Sequence, residues 1–189
     1  LAIGADRGDI LGVPFITFLA PGLISMQVIQ QSFSHSSSSF MIGKIQGNIL
    51  DLLYAPLSAT EVTISIALAA VTRSVMIAIV SIIVFKLIID IEITNYLLLI
   101  VFTLLSAFIL GNIGIIAGLW AEKFDHMATV TNFVIIPLSF LSGTFYSIER
   151  LPEVLQIISK ANPFFYMIDG FRYSFIGKAD GSIFIGLTY

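Results

Sequence analysis

Arg73 is a charged residue near the middle of a long apolar run, roughly residues 62–85. An arginine at the centre of a membrane-spanning helix costs about 2.5–3.5 kcal/mol on insertion scales, so its side chain should meet a partner, a water-filled cavity or lipid headgroups. One interpretation is a contact with an anionic substrate or a gating ion pair. The other is a structural pair, or a side chain that reaches the nearer membrane surface. The sequence indicates no partner, because Glu61 lies about three helical turns away.

Asp169 and Arg172 are three residues apart, so on a helix they would share a face and could form an ion pair. They lie among aromatic residues near the expected membrane surface, where such a pair is more often structural than catalytic. If the protein moves amphipathic molecules across a membrane, aromatic side chains in this part of the chain could line a gate, because such molecules need apolar walls that can repack. The alternative, which we favour slightly, is that they mark the membrane interface. The gate candidates are Phe140, Phe145, Tyr146, Phe164 and Phe165.

Known motifs for catalysis and metal binding are missing from the sequence. It contains no nucleophile elbow, zinc-protease motif or Walker lysine motif. It has no cysteine, and its two histidines, His35 and His126, are far apart, so we expect no metal site. A membrane-embedded lipid-processing enzyme stays an alternative. Its candidate residues would be Asp169, Arg172 and Arg73, which are few for acid–base or nucleophilic chemistry.

The composition is that of an integral membrane protein. Hydrophobic residues make up 57% of the chain, charged residues 11%, and the mean hydropathy is +1.00, whereas a soluble domain has roughly 25% charged residues. The net charge of −3 and the lack of a basic run give no indication of nucleic-acid binding.

Apolar runs and amphipathic segments predict an all-α integral membrane protein, a helical bundle within one transmembrane domain. Four runs are long enough to span a bilayer, at about residues 10–33, 62–85, 96–120 and 127–145, and 182–189 has the character of the start of another. A secondary transporter, the other alternative, would need a carboxylate within a span. The nearby carboxylates instead lie in predicted loops: Asp90, Glu92, Glu122 and Asp125.

Two segments have the pattern of amphipathic helices that lie at a membrane surface, about 40–55 and 148–160. In the first, apolar residues recur at helical spacing, and Lys44, Asn48 and Asp51 follow an i, i+4, i+7 stripe on another face. Pro56 should end this helix.

Small residues form a stripe on each of two predicted spans, where they would allow a neighbouring helix to approach closely. We expect the glycine stripe to pack within the bundle rather than to form a dimer interface. The stripes are Ala70, Ser74 and Ala78 on one span, and Ala107, Gly111, Gly114 and Gly118 on the next.

Four segments, in this order and with these spans between them, resemble the permease subunit of type-2 ATP-binding-cassette (ABC) exporters of the bacterial polysaccharide and drug-export kind. They are FLAPGL at 18–23, KIQGNILDLLYAPLSATE at 44–61, FLSGTFYSIERLP at 140–152 and NPFFYMIDGFR at 162–172. The family has six spans with both termini in the cytoplasm. The resemblance therefore implies that the first span and most of the last lie outside this sequence.

The resemblance also implies roles and partners. The 40–55 segment would be a cytoplasmic coupling helix, contacting the ATPase through Lys44, Gln46, Asn48 and Asp51, and 148–162 would be a re-entrant outer helix. ATP and magnesium would be bound by the partner subunit and no cofactor by this chain, which would not itself be an enzyme. A second permease copy, in a homodimer, would complete the path for export across the bacterial inner membrane. The distribution of Lys and Arg does not follow the positive-inside rule for this orientation.

Overall fold

The computed structural model describes residues 9–10, 12–89, 91–148, 151–181 and 186. These residues form eight α-helices, one π-helical turn and a pair of two-residue antiparallel strands, which confirms the all-α prediction. The predicted start of a span at 182–189 lies outside the described residues except for 186, as do residues 149–150 of the predicted 148–160 helix. The elements are β1 Asp9–Ile10, β2 Val13–Pro14, α1 Phe15–Gln46, α2 Ile49–Tyr54, α3 Ala59–Ile88, α4 Tyr96–Trp120, α5 Phe124–Val130, the π-turn Thr131–Ile135, α6 Ile136–Leu141, α7 Glu153–Ala161 and α8 Pro163–Ile176.

Helix α1 corrects the prediction of a span ending near 33 and a separate helix at 40–55. The helix continues through the serine run to Gln46, because serine hydroxyls donate to carbonyls of the preceding turn, as Ser36 does to Ser32 at 3.2 Å. It ends before Gly47, whose φ of +77° is a left-handed conformation that favours glycine. Only the short α2 follows, and Ala55 before Pro56 is extended.

Three helical segments of the described chain are long and apolar enough to cross a membrane: Ala59–Ile88, Tyr96–Trp120 and Phe124–Leu141. They correspond to three of the four predicted spans. The first predicted span, 10–33, begins in the strand pair, and only its part from Phe15 onward is helical. Helix α1 is outside this group because Gln27, Gln30 and Gln31 make it less apolar. Its passage through the membrane stays a prediction.

The last of these segments contains the π-turn at 131–135, just before Pro137. In a regular α-helix the ring of Pro137 would clash with the carbonyl group four residues earlier, and a local π-helical widening relieves such a clash. The segment ends at Leu141, and the next glycine, Gly143, has a φ of +71°.

The chain divides into two compact units. The first comprises residues 1–27, 78–103 and 137–189. Its core is built on α8, where Phe165, Ile168 and Phe171 are buried, and a Cβ atom at Gly170 would lie 2.2 Å from the ring of Phe102. The apolar side chains of α7 behave differently: Val154 and Ile157 remain about two-thirds exposed (68% and 69%), as suits a helix whose apolar face meets lipid.

The second unit comprises residues 28–77 and 104–136. Its centre is the contact of α4 with α1, where a Cβ atom at Gly114 would lie 2.5 Å from the carbonyl oxygen of Phe33, and one at Gly118 2.9 Å from Cβ of Phe40. The glycine stripe therefore packs within the chain, as predicted. Ser74 of the other stripe is buried and donates to the carbonyl of Val28 at 3.4 Å.

Candidate functional site

Helix α8 begins with a strong local signal that the sequence interpretation did not use. Asn162 accepts a hydrogen bond from the backbone N–H of Phe164 at 3.1 Å, and Pro163 occupies the first helical position. The same asparagine donates to the carbonyl of Leu138 at 2.8 Å and to the hydroxyl of Ser142 at 2.9 Å. Asn162 thus caps α8 and fastens its start to the end of α6.

Arg172 of α8 is fully buried. Its Nη2 donates to the carbonyl of Gly143 at 2.7 Å, and the guanidinium lies 3.9 Å from the centre of the Phe18 ring. Asp169 approaches Nη1 at 3.9 Å, while Nε and Nη1 have no hydrogen-bond partner among the described residues. The charge is therefore held by a carbonyl dipole, an aromatic face and a distant carboxylate.

Gly22 in α1 makes room for this arrangement. A Cβ atom at this position would lie 2.8 Å from the carbonyl oxygen of Thr144 and 3.0 Å from Nη2 of Arg172. Segments 18–23, 140–152 and 162–172 therefore meet around one guanidinium. We call Phe18, Gly22, Gly143, Asp169 and Arg172 the Arg172 cluster.

Asp169 connects this cluster to the chain after α8. Its carboxylate accepts hydrogen bonds from the backbone N–H groups of Asp180 at 3.1 Å and Gly181 at 2.8 Å. Asp180 in turn accepts from the hydroxyl of Ser147 at 2.8 Å and from the N–H of Ile148 at 3.1 Å. Burial raises the pKa of Asp169 to about 6 and lowers that of Arg172 to about 10. The arrangement can hold three segments together.

The structure separates the five proposed gate aromatics. Phe140 and Phe145 stack with ring centres 5.1 Å apart, and the hydroxyl of Tyr146 donates to the carbonyl of Phe140 at 3.2 Å. These three remain partly accessible. Phe164 and Phe165 are buried in the core of the first unit and do not extend that accessible group. Phe171 is buried in the same core, and the position of these aromatic residues at the membrane interface stays a prediction.

The segment from Lys44 to Glu61, which we call the 44–61 surface, lies in the second unit. Gln46 and Asn48 are exposed and hydrogen-bonded to each other at 3.2 Å, and Asp51 is exposed. Lys44 is half-buried: its ammonium donates to the carbonyls of Leu119 and, at 2.9 Å, Ala121, at the end of α4. Three of the four predicted coupling residues thus face outward, and the fourth neutralises free carbonyls of a helix C-terminus.

The 44–61 surface ends in a capping box that starts α3. Glu61 accepts from the backbone N–H and the hydroxyl of Ser58 at 2.7 and 2.8 Å, and the N–H of Glu61 donates back to that hydroxyl at 3.3 Å. Beside this surface lies an apolar cavity of about 450 Å³. Its walls are Phe40, Ile49, Leu57, Ala59, Val62, Thr63, Ile115 and Leu119.

Arg73 has a partner that the sequence did not reveal. Its Nη1 lies 3.2 Å from Nδ1 of His35, on the neighbouring helix α1. The two side chains help to line a polar cavity of about 240 Å³. The predicted span at 10–33 and the predicted helix at 40–55 leave the serine run at 34–39 between them, whereas α1 is continuous through it and turns His35 toward α3. No group of three or more metal-ligating side chains occurs within the described residues.

Comparisons with known proteins place these features in context. The profile of the ABC-2 type transporter family matches residues 5–176. The inner membrane transport permease YadH of Escherichia coli (strain K12) is 34% identical over 178 residues, which are 94% of this chain and 70% of YadH. Nodulation protein J of Rhizobium leguminosarum bv. viciae is 25% identical over 183 residues, 93% of this chain and 68% of that protein. No solved structure gives a significant match.

Proposed function

Because the chain belongs to the ABC-2 type transporter family, we propose that it forms an outward path for cargo that a separate ATPase subunit drives. It is a multi-pass inner-membrane permease subunit of an ABC transporter. The observation that carries the proposal is the match of the family profile to residues 5–176, nearly the whole chain.

The 44–61 surface is the proposed contact with the ATPase. Gln46, Asn48 and Asp51 present polar groups to the outside, and Gly47 separates α1 from α2. Lys44 supports a lever action, because its ammonium joins the last turn of α1 to the end of α4. A push on α2 would therefore act on two long helices together, which is how a local contact biases a two-state change.

The partner subunit, rather than this chain, binds ATP and magnesium in this proposal. A second copy of the permease completes the path, with one ATPase subunit on each copy. The permease supplies no catalytic group, and its work is to change between two arrangements of its helices as the ATPase pair closes and opens.

A photocrosslinker tests this assignment. The reagent is placed at Asn48 in the tagged protein, with a control at Thr72, an exposed residue within the predicted 62–85 span. After purification from detergent-solubilised membranes, Asn48 should crosslink to an ATP-binding-cassette subunit, and the eluate should hydrolyse ATP. Thr72 should give no such product. Capture of no ATPase by either variant, with normal insertion, would favour the membrane-enzyme or secondary-transporter alternative.

Bulky substitutions test the lever. Asn48→Trp and Asp51→Trp should leave insertion intact but uncouple ATP hydrolysis from transport, because the surface could no longer fit a cleft of the partner. Thr72→Trp is the matched control and should retain coupling. Full transport by both surface variants would remove the coupling role from α2.

A further inference from the structure

The serine run of α1 has two different faces. Ser32, Ser36 and Ser37 are buried, and the first two lie against Gly111 of α4, where a Cβ atom would be 3.3 and 3.4 Å from their hydroxyl oxygens. The remaining polar side chains face a cavity of about 240 Å³, which we call the Arg73 cavity. It is lined by Ser34, His35, Ser38, Ser39, Ile42 and Arg73. Helix packing therefore accounts for one face of the run and leaves the other unexplained.

The Arg73 cavity carries a positive charge without a carboxylate. The residues that line it include no Asp or Glu. Arg73 also lies near the middle of the 30-residue α3. An arginine at such a position requires a counter-charge or a polar surrounding.

The contact between Arg73 and His35 determines how the imidazole is protonated. A guanidinium has only donors, so Nδ1 of His35 must accept the hydrogen bond, and the neutral ring then carries its proton on Nε2. The cavity wall thus combines guanidinium N–H groups, an imidazole N–H donor and three serine hydroxyls. It has more donors than the two oxygens of a carboxylate could use.

We propose that the Arg73 cavity binds a phosphate group. Arg73 supplies the charge and a planar pair of donors that matches two phosphate oxygens. His35 orients the guanidinium, and Ser34, Ser38 and Ser39 donate to the remaining oxygens. This role is independent of ATPase coupling, because it concerns a ligand of the permease itself.

Two sources of this phosphate share the same chemistry: the headgroup of a membrane phospholipid, or a phosphate group carried by another molecule such as the cargo. Helix α3 is about 45 Å long, at 1.5 Å per residue, whereas the hydrocarbon core measures about 30 Å. If α3 spans the core, its midpoint near Arg73 lies within about 7.5 Å of the bilayer centre, so a lipid phosphate meets Arg73 only where the long side chain extends toward the headgroups. The depth does not decide between the sources, and the experiment has an arm for each.

The first arm detects lipid and the second detects free anion. In the first, the full-length protein is released from phosphatidylglycerol nanodiscs, and native mass spectrometry counts the phospholipids that stay bound. In the second, detergent-purified protein in phosphate-free buffer is titrated with inorganic phosphate by calorimetry. Both arms compare wild type with Arg73→Gln, Arg73→Lys and Lys86→Gln, the last being an exposed cation on the same helix. Neither arm contains an ATPase, so failure here is distinct from failure of coupling.

Each result has a defined meaning. One phospholipid retained per chain by wild type and Lys86→Gln, but lost in Arg73→Gln, identifies a lipid headgroup. Phosphate binding that Arg73→Gln weakens at least about tenfold, without a retained lipid, identifies another phosphate-bearing molecule. Arg73→Lys keeps the charge but lacks the planar pair of donors, so its binding should fall between that of wild type and that of Arg73→Gln. Helical circular dichroism and a monodisperse elution peak check that each variant folds. No binding by folded wild type in either arm, or equal binding by Arg73→Gln, overturns the proposal.

Discussion

Arg172 and Arg73 are both arginines in an apolar chain, and their surroundings are opposite in kind. Arg172 is fully buried, and its guanidinium contacts a backbone carbonyl, an aromatic ring and Asp169. Arg73 is exposed along the wall of a polar cavity, where its guanidinium meets a neutral imidazole. An enclosed charge can only hold its own chain together, whereas a charge on a cavity wall remains able to meet a ligand.

The largest contrast should appear when each guanidinium is removed. Arg172→Met leaves the Gly143 carbonyl and the Asp169 carboxylate without a buried cation, so the free energy of unfolding should fall by about 3–5 kcal/mol. Arg73→Met should change it by less than about 1 kcal/mol, as expected for an exposed position. Each variant is heated in detergent, and the temperature at which half of its monodisperse chromatographic peak is lost reports its stability relative to wild type.

The double variant Arg172→Met/Asp169→Leu sharpens this test. It removes the stranded carboxylate, so part of the lost stability should return. The recovery of stability should be incomplete, because the Asp169 carboxylate also accepts hydrogen bonds from the N–H groups of Asp180 and Gly181. Equal midpoints for Arg172→Met and Arg73→Met would show that enclosure of the charge is unimportant.

The next effect is the pH dependence of the Arg172 cluster. Burial raises the pKa of Asp169 from 3.8 to about 6, although the charge of Arg172 opposes the shift and that of Asp180 adds to it. The folded protein therefore binds the Asp169 proton more tightly than the unfolded chain does. The stabilisation from this proton is complete below about pH 4 and is lost as the pH rises through about 6, so the free energy of unfolding falls by on the order of 2–3 kcal/mol. Melting midpoints of wild type and Asp169→Asn between pH 4 and 7.5 should diverge with this sign. Parallel curves would contradict it.

Two glycines of α1 provide a matched pair of intermediate size. Gly22→Ala places a methyl group 2.8 Å from a backbone oxygen, so we expect a loss of about 1–3 kcal/mol. Gly43→Ala meets no atom within 4 Å and should gain up to about 1 kcal/mol from helix propensity. Thermal midpoints of the two variants in the same detergent test this. An increase in stability for both variants would show that the Arg172 cluster can accommodate a methyl group at position 22, contrary to this prediction.

The smallest effect concerns the start of α3. Ser58→Ala removes the hydroxyl of the capping box, so stability should fall by about 1 kcal/mol. Ser65→Ala, which removes an exposed serine donating to the carbonyl of Glu61, should have less effect. Melting midpoints compare the two. A loss of stability in Ser58→Ala as large as that in Gly22→Ala would contradict the expectation that exposed contacts contribute less to stability than buried ones.

Much of the fold could be predicted from residue type and spacing. The apolar runs correspond to α3, α4 and Phe124–Leu141, because lipid demands long, continuous apolar helices. The end of α1 was placed wrongly, since serines can bond within a helix and need not break it. Helix α8 was missed as a helix despite Asn162, Pro163 and Gly177, which mark its start and end.

The sequence by itself determined the class of the protein, its apolar helices, the small-residue stripes and the resemblance to exporter permeases. These follow from local preferences and from the cost of exposing polar groups to lipid, and both can be read along the chain. The tertiary structure alone decided which arginine is enclosed, that His35 meets Arg73 at a separation of 38 residues, and that Lys44 caps α4. Such pairings depend on how helices rotate and approach each other, which is set by side-chain packing between segments distant in sequence.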